Sequence, residues 1–190
     1  MPLTILDPNT ALIVIDLQQG VVNGNFIHPI GQVVDRTCAL INAFRAKSLP
    51  VVLINVAGRA PGRTEQGPRG NASFSEGWTD LLPQLDRHPG DIVVTKRSWG
   101  AFATTDLERQ LKARGVTQVV LTGVATSGGV EATARQAYEL GFNVTLALDA
   151  MTDIRREAHE YSIGNVFPRL GETGSTEEIV SLLEKRSSAS

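Results

Sequence analysis

Apolar residues in this chain gather in short, nearly continuous runs at 11–16, 51–56, 92–95, 118–123 and 143–148, each rich in Val, Ile and Leu. A strand with one face in water alternates apolar and polar positions. A run that does not alternate fits a parallel strand covered on both faces. Between these runs the apolar spacing changes to a helical period. Val33, Val34, Thr37, Cys38, Ile41 and Phe44 fall on one face of a helix predicted over 32–47. Thr105-Asp-Leu-Glu108 and Ser175-Thr-Glu-Glu178 have capping-box spacing and predict two further helix starts, the first ending near Gly115 and the second near Lys185. After the fourth run, Thr126 or Ser127 is placed to cap a helix reaching Leu140 and closed by Gly141. A sixth, weaker strand is expected over 166–170. Strands alternating with helices predict an α/β fold: a three-layer α/β/α sandwich, doubly wound about a mostly parallel sheet of about six strands, in one domain spanning 1–190.

One long stretch, 57–90, breaks the alternation and is crowded with Gly, Pro and Arg. Long loops in compact domains are commonly functional. Arg59, Arg63 and Arg69 can each hold a carboxylate or phosphate, although a solvated surface loop accounts for any one of them as well. A formal net charge of -2 gives no basis for a nucleic-acid partner or an acidic membrane surface. The apolar runs are too short to span a bilayer and the first residues lack a signal-peptide core, so a cytoplasmic protein is expected. A single cysteine, Cys38, excludes an internal disulfide and a CxxC site.

In an open parallel sheet, ligands bind outside the carboxyl ends of the strands. The first run ends in Asp16, Leu17 and Gln18; the third in Lys96, Arg97, Ser98 and Trp99; the fourth in Gly123-Val-Ala-Thr-Ser-Gly-Gly129, which feeds a helix. An acid, a cation and a helix start thus meet at one sheet edge. A helix start offers unpaired N–H groups to a developing oxyanion, and a partly buried acid beside a lysine can move protons. Taken singly, Asp16 also reads as a cap and Lys96 as a surface charge; together at equivalent strand ends they favour a site.

The segments Ala11-Leu-Ile-Val-Ile-Asp-Leu-Gln18, Val94-Thr-Lys-Arg-Ser-Trp-Gly-Ala-Phe102 and Leu121-Thr-Gly-Val-Ala-Thr-Ser-Gly-Gly-Val-Glu-Ala-Thr-Ala134 resemble the three signature blocks of the isochorismatase-like hydrolase superfamily, and the match continues through Asp149-Ala150. That resemblance implies that Asp16 and Lys96 join a third position at the start of the helix after strand four. In the cysteine hydrolases of the superfamily that position is the nucleophile; here it is Gly129. It also implies a cis peptide between Val124 and Ala125. If the superfamily's sheet order carries over, strand three is not next to strand one, and Lys96 must reach back across the sheet edge. Glycine at this position also occurs in isochorismatases, which cleave a vinyl ether without a covalent intermediate. By that likeness Asp16 is the general acid and Lys96 supplies charge. Gly129 leaves room, and its N–H with that of Ala125 is placed to bind an oxygen. Gln18, Phe26, Trp99 and Phe102 are the remaining substrate-binding candidates, and core packing explains each aromatic as well.

Cys38 lies on the apolar helix face and reads as packing rather than a relocated nucleophile. Ser127 reads as a helix cap, since no histidine neighbours it in sequence to activate it. Gly123-Val-Ala-Thr-Ser-Gly128 lacks dinucleotide-binding spacing, and no phosphate-binding loop is present. The zinc nicotinamidases of the same superfamily need a histidine cluster after strand two, whereas His28, His88 and His159 are scattered, so neither a metal nor any other cofactor is expected. The expectation is a hydrolase acting on a small molecule, as a homodimer or homotetramer. The alternative is a silent ligand-binding homologue that lost the nucleophile.

Overall fold

Six apolar segments pair edge to edge in the computed structural model, which describes residues 3–65 and 74–185. They are β1 Thr10–Ile15, β2 Val51–Val56, β3 Ile92–Lys96, β4 Gln118–Val124, β5 Asn143–Thr152 and β6 Glu172–Gly174. Their order is β3-β2-β1-β4-β5-β6, and all five neighbouring pairs are parallel. The chain winds outward from β1 to β3, returns to the other side of β1, and winds outward again. The reversal lies between β1 and β4, where a doubly wound sheet opens a crevice at its carboxyl edge.

Side chains alternate across the sheet, and each face finds its own helices. Ala11, Ile13 and Ile15 pack with Leu107 and Leu111 of α3 (Leu107–Ala113) and with Ala134 and Ala137 of α4 (Glu131–Glu139). Leu12 and Val14 face the other way, onto Leu40, Ile41 and Phe44 of α2 (Ile30–Ala46) and Ile179 and Leu183 of α6 (Thr176–Lys185). All six residues of β1 are buried, which is why its sequence shows no alternation. Fully burying each such Val, Leu or Ile contributes roughly 1.5–3 kcal/mol. A short α1 (Gln19–Val22) follows β1, and α5 (Arg156–Tyr161) follows β5. Among the described residues, no helix is long and apolar enough to cross a membrane.

Several local expectations change. Residues 166–170 are not a strand: Ser162–Val166 is a π turn, and Phe167–Arg169 a 3-10 turn that starts on Phe167 with Pro168 in it, so the sixth strand forms later, at Glu172–Gly174. At α3 the capping box does not close; Thr105 Oγ1 instead accepts from Leu107 N at 3.2 Å and donates to Ala101 O at 2.6 Å. The box at α6 does close, with Ser175 N donating to Glu178 Oε2 at 2.7 Å and Glu178 N to Ser175 Oγ at 3.2 Å. Neither Thr126 nor Ser127 caps the helix after β4, because both side chains are bonded elsewhere. β5 runs four residues beyond its expected end at 148: an irregularity opposite Leu121 and Gly123 lets it re-pair Gly123 with Met151 and Val124 with Thr152.

Gly123 shows how closely β1 and β4 approach. Its φ is +111°, and a Cβ there would lie 2.1 Å from Ile15 O. Gly123→Ala is expected to lower stability by about 3 kcal/mol or more, read as a fall in the denaturant midpoint at unchanged m-value.

Candidate active site

β1 is followed by Asp16, whose φ of +54° turns the chain off the strand. Aspartate tolerates this left-handed region better than most residues. Its backbone N–H still bonds to Ile54 O at 3.0 Å. Lys96, the last residue of β3, is level with Val56 on β2. Strands two places apart are separated by roughly 10 Å. A lysine side chain reaching past the end of β2 spans that gap, and Lys96 Nζ meets Asp16 Oδ2 at 2.8 Å. Nζ also donates to Trp99 O at 2.6 Å. Lys96 is 1% exposed and Asp16 7%, so the pair is far removed from a surface ion pair. The other carboxyl oxygen, Asp16 Oδ1, is buried and has no hydrogen-bond partner among the described residues.

Gly129 completes this group. A Cβ built on it would sit 3.1 Å from Asp16 Oδ2, 3.1 Å from Ile15 Cγ2 and 3.2 Å from Lys96 Nζ. A side chain there would require these neighbours to give by a few tenths of an ångström, and glycine lets the turn after β4 lie against the ion pair without that shift. That turn, Thr126–Val130, is a π turn with a non-helical residue, Gly128, inside it. The Val124–Ala125 peptide preceding it is cis.

A cavity of about 240 Å³ opens over these groups. Asp16, Lys96, Gly128 and Gly129 line its base, and Val56, Gly58, Arg59, Phe74, Trp78, Ser98 and Trp99 line the rest. Phe74 and Trp78 stack at 4.1 Å between ring centroids. Trp78 lies directly over Gly20, where a Cβ would fall 2.1 Å from the indole. Trp99 is 64% exposed at the rim. A wider groove of about 680 Å³ at the amino ends of β2 and β3 contains Arg45 and Asp91, already paired with each other.

The structure thus brings Asp16, Lys96, Gly129 and Trp99 together, with Ala125 at the base of the same turn. It places three other candidates elsewhere. Gln18 is fully buried and its amide is consumed by backbone: Nε2 donates to Val56 O and Trp78 O, and Oε1 accepts from Val56 N. Phe102 is core, stacked on Phe142. Phe26 packs against the α2-side core and does not line the cavity. Cys38 also sits on that side, its thiol donating to Gln84 O at 3.2 Å. Of the arginines in the long loop, Arg59 lines the cavity and has no hydrogen bond or ion pair among the described residues. Arg63 is exposed, and Arg69 lies outside the described residues.

Sequence reasoning missed Trp78 and Phe74, which come from the irregular stretch where no period signals position. It also missed two side chains behind the turn. Asp153 accepts from Ser127 N at 2.7 Å and Ser127 Oγ at 2.8 Å. His159 Nδ1 and Thr126 Oγ1 share a hydrogen bond of 2.8 Å, and His159 lies edge-on to His28 at 5.0 Å. Ser127 therefore has an acid and not a histidine beside it, and it does not line the cavity.

Burial pushes the Asp16 carboxyl up to about 6, while the charge and hydrogen bond of Lys96 pull it down without prevailing. The folded value lies above the ordinary 3.8, so the folded state holds this proton more tightly than the unfolded chain. The stability this adds is complete below the ordinary value and is lost as pH rises through about 6; it amounts to on the order of 3 kcal/mol. Lys96→Met removes both influences that lower the value and extends the loss to higher pH. The variant's melting temperature is expected to fall more between pH 5 and pH 8 than the native protein's; an unchanged difference would show that Lys96 does not act on Asp16.

The model of the Isochorismatase domain matches residues 10–178 of this chain. The chain is 40% identical over 180 residues to the uncharacterized isochorismatase family protein YecD of Escherichia coli O157:H7, covering 92% of this chain and 96% of that one. An isochorismatase family protein from Burkholderia thailandensis superposes with a TM-score of 0.89 at 39% identity, over 95% of this chain and 98% of that one. At 28% identity it is similar to the ureidoacrylate amidohydrolase RutB of Stutzerimonas stutzeri, over 87% of this chain and 80% of that protein.

Proposed function

This chain belongs to the isochorismatase family, whose members are hydrolases, and on that footing we propose that it hydrolyses a small molecule by non-covalent acid–base chemistry, with Asp16 moving the proton. The observation that carries this reading is the division of labour between the two oxygens of Asp16. Oδ2 is tied to Lys96, while Oδ1 is buried with no partner among the described residues, in a residue that lines the cavity. A carboxyl pushed up to about 6 is partly protonated near neutral pH, and the free oxygen is where its proton resides. Asp16 gives that proton to the substrate. The carboxylate so formed is stabilised by Lys96 at 2.8 Å and takes a proton back from the attacking water. The group returns to its starting state with water's elements added to the substrate.

Position 129 is where, by resemblance, the cysteine hydrolases carry their nucleophile. With glycine there and the one cysteine on the far side of the sheet, no thiol lines the cavity among the described residues. Water attack replaces the covalent step. The N–H groups of Gly129 and Ala125 serve the developing negative oxygen. Phe74, Trp78 and Trp99 supply flat apolar walls, and Arg59 offers its guanidinium to a substrate anion at the rim. A cavity of about 240 Å³ suits a small metabolite.

The test is a hydrolysis screen over small carboxylates, amides and vinyl ethers, repeated with Asp16→Asn. Turnover of the best substrate is expected to drop roughly 10²–10⁴-fold while its affinity changes little. In the native enzyme, turnover should decline as pH rises through about 6, since the acid must enter the reaction protonated. A ligand that binds native protein and variant alike and is turned over by neither identifies a silent binding protein instead.

A further inference from the structure

Asp153 is a buried carboxylate that the chemistry above does not use. It is 2% exposed, and no cation pairs with it among the described residues. Its charge is instead met by four donors. Oδ2 takes the N–H and the hydroxyl of Ser127, at 2.7 and 2.8 Å, and Oδ1 takes the N–H groups of Ile154 and Arg155, at 2.8 and 3.2 Å. Its own carbonyl accepts Ile27 N at 2.8 Å. A single side chain therefore joins the π turn after β4 to the start of α5, and its backbone joins both to the 25–29 segment.

What this carboxylate holds is the amino end of the turn that brings Gly129 onto Asp16. The other end is tied by Thr133, whose hydroxyl donates to Gly129 O at 2.6 Å. Between these two anchors lies Gly128, the residue where helical geometry lapses. The turn's backbone bonds from Gly128 N and Val130 N both land on Ala125 O, and side-chain anchors at Thr126 (His159), Ser127 (Asp153) and Gly129 (Thr133) add to them around the interruption. The position of Gly129 matters because its Cα covers the Asp16–Lys96 pair, close enough that a Cβ would be 3.1 Å from Oδ2.

We propose that Asp153 is a positioning residue: through Ser127 it holds the Thr126–Val130 turn, and Gly129 with it, against Asp16, and so keeps the Asp16 carboxyl out of water without touching substrate. Asp153 was invisible as a site residue because β5 had to extend to Thr152 to deliver it. Four hydrogen bonds from backbone and hydroxyl donors fix the orientation of its carboxyl group, which lets it act as a clamp. Other charged groups near the two acids sit on separate supports. Lys96 contacts Asp16 from β3, Arg59 lines the cavity from the loop after β2, and His159 on α5 stands near Asp153 with His28, Arg156 and Glu160 around it.

The proposal gives the Asp16 acid a second determinant, and so rests on that reading of Asp16. Its test follows Asp16 by ¹³C carboxyl titration in the native protein, Asp153→Asn and Ser127→Ala. Releasing the turn admits water to Asp16, so Asp153→Asn should lower the Asp16 midpoint by roughly half a pH unit or more. Ser127→Ala keeps the Asp153 charge and one of the two bonds, and should lower it less, in the same direction. A drop in Asp153→Asn with none in Ser127→Ala would assign the effect to the lost charge and overturn the positioning role. A lowered melting temperature with the midpoint unmoved in both variants would overturn it too, leaving Asp153 a brace of the fold. A native midpoint already at the ordinary carboxylate value would overturn the Asp16 acid and this proposal with it.

Discussion

The site depends on one buried ion pair, Asp16 with Lys96, made between strands that are not neighbours. Burying two charges is costly, and removing either partner of such a pair typically destabilises by about 3–5 kcal/mol because the other is left uncompensated. The fold tolerates the pair because each member is held by more than the other. Lys96 has a second acceptor in Trp99 O, and Asp16 keeps its backbone bond to β2. The compensation is incomplete on one side: Oδ1 of Asp16 is buried without a partner among the described residues, and the proposed chemistry assigns the proton to that oxygen.

Topology decides where this pair can exist. The order β3-β2-β1-β4-β5-β6 puts the reversal between β1 and β4, so the residues just past these two strands share a crevice. Asp16 follows one and the turn bearing Gly129 follows the other. Gly123 lets the two strands close in, since a Cβ there would fall 2.1 Å from Ile15 O, and Gly129 spares the turn the smaller shift that a Cβ 3.1 Å from Asp16 Oδ2 would need. Lysine suits position 96 because only a long, flexible cation clears the end of β2.

The grouping of Asp16, Lys96 and Gly129 into a candidate site was legible in the sequence because all three stand at or just past strand ends. A polar residue that stops a continuous apolar run marks the carboxyl edge, and Asp16, Lys96 and the glycine-rich turn all carry that mark. The walls were not legible. Trp78 and Phe74 come from a segment without periodicity, and their place follows from Gly20, whose missing side chain admits the indole. Gln18 differs from the expectation because a polar side chain after β1 can face the ligand or the backbone, and its amide bonds to Val56 and Trp78 backbone show which. Phe102 illustrates the ordinary outcome for an aromatic, which is core. Asp153 was hidden by an irregularity in β5 that leaves no hydropathy signature. The sixth strand was displaced because 166–170 is a helical turn that buries Val166 and Phe167, which hydropathy alone does not distinguish from a short strand.

Family membership points to hydrolysis, and the proposed reading takes Gly129 as the reason for a non-covalent route. The central claim is that Asp16 stores a proton in the folded protein at a pH where an ordinary aspartate has lost it. Infrared difference spectra across a pH series, taken on native protein and on Asp16→Asn, read that proton directly through the C=O stretch of a protonated carboxyl. The account predicts a band that titrates near pH 6 in the native protein and is missing from the variant. A band that is already gone well below pH 5, or one that persists unchanged in Asp16→Asn, would contradict it.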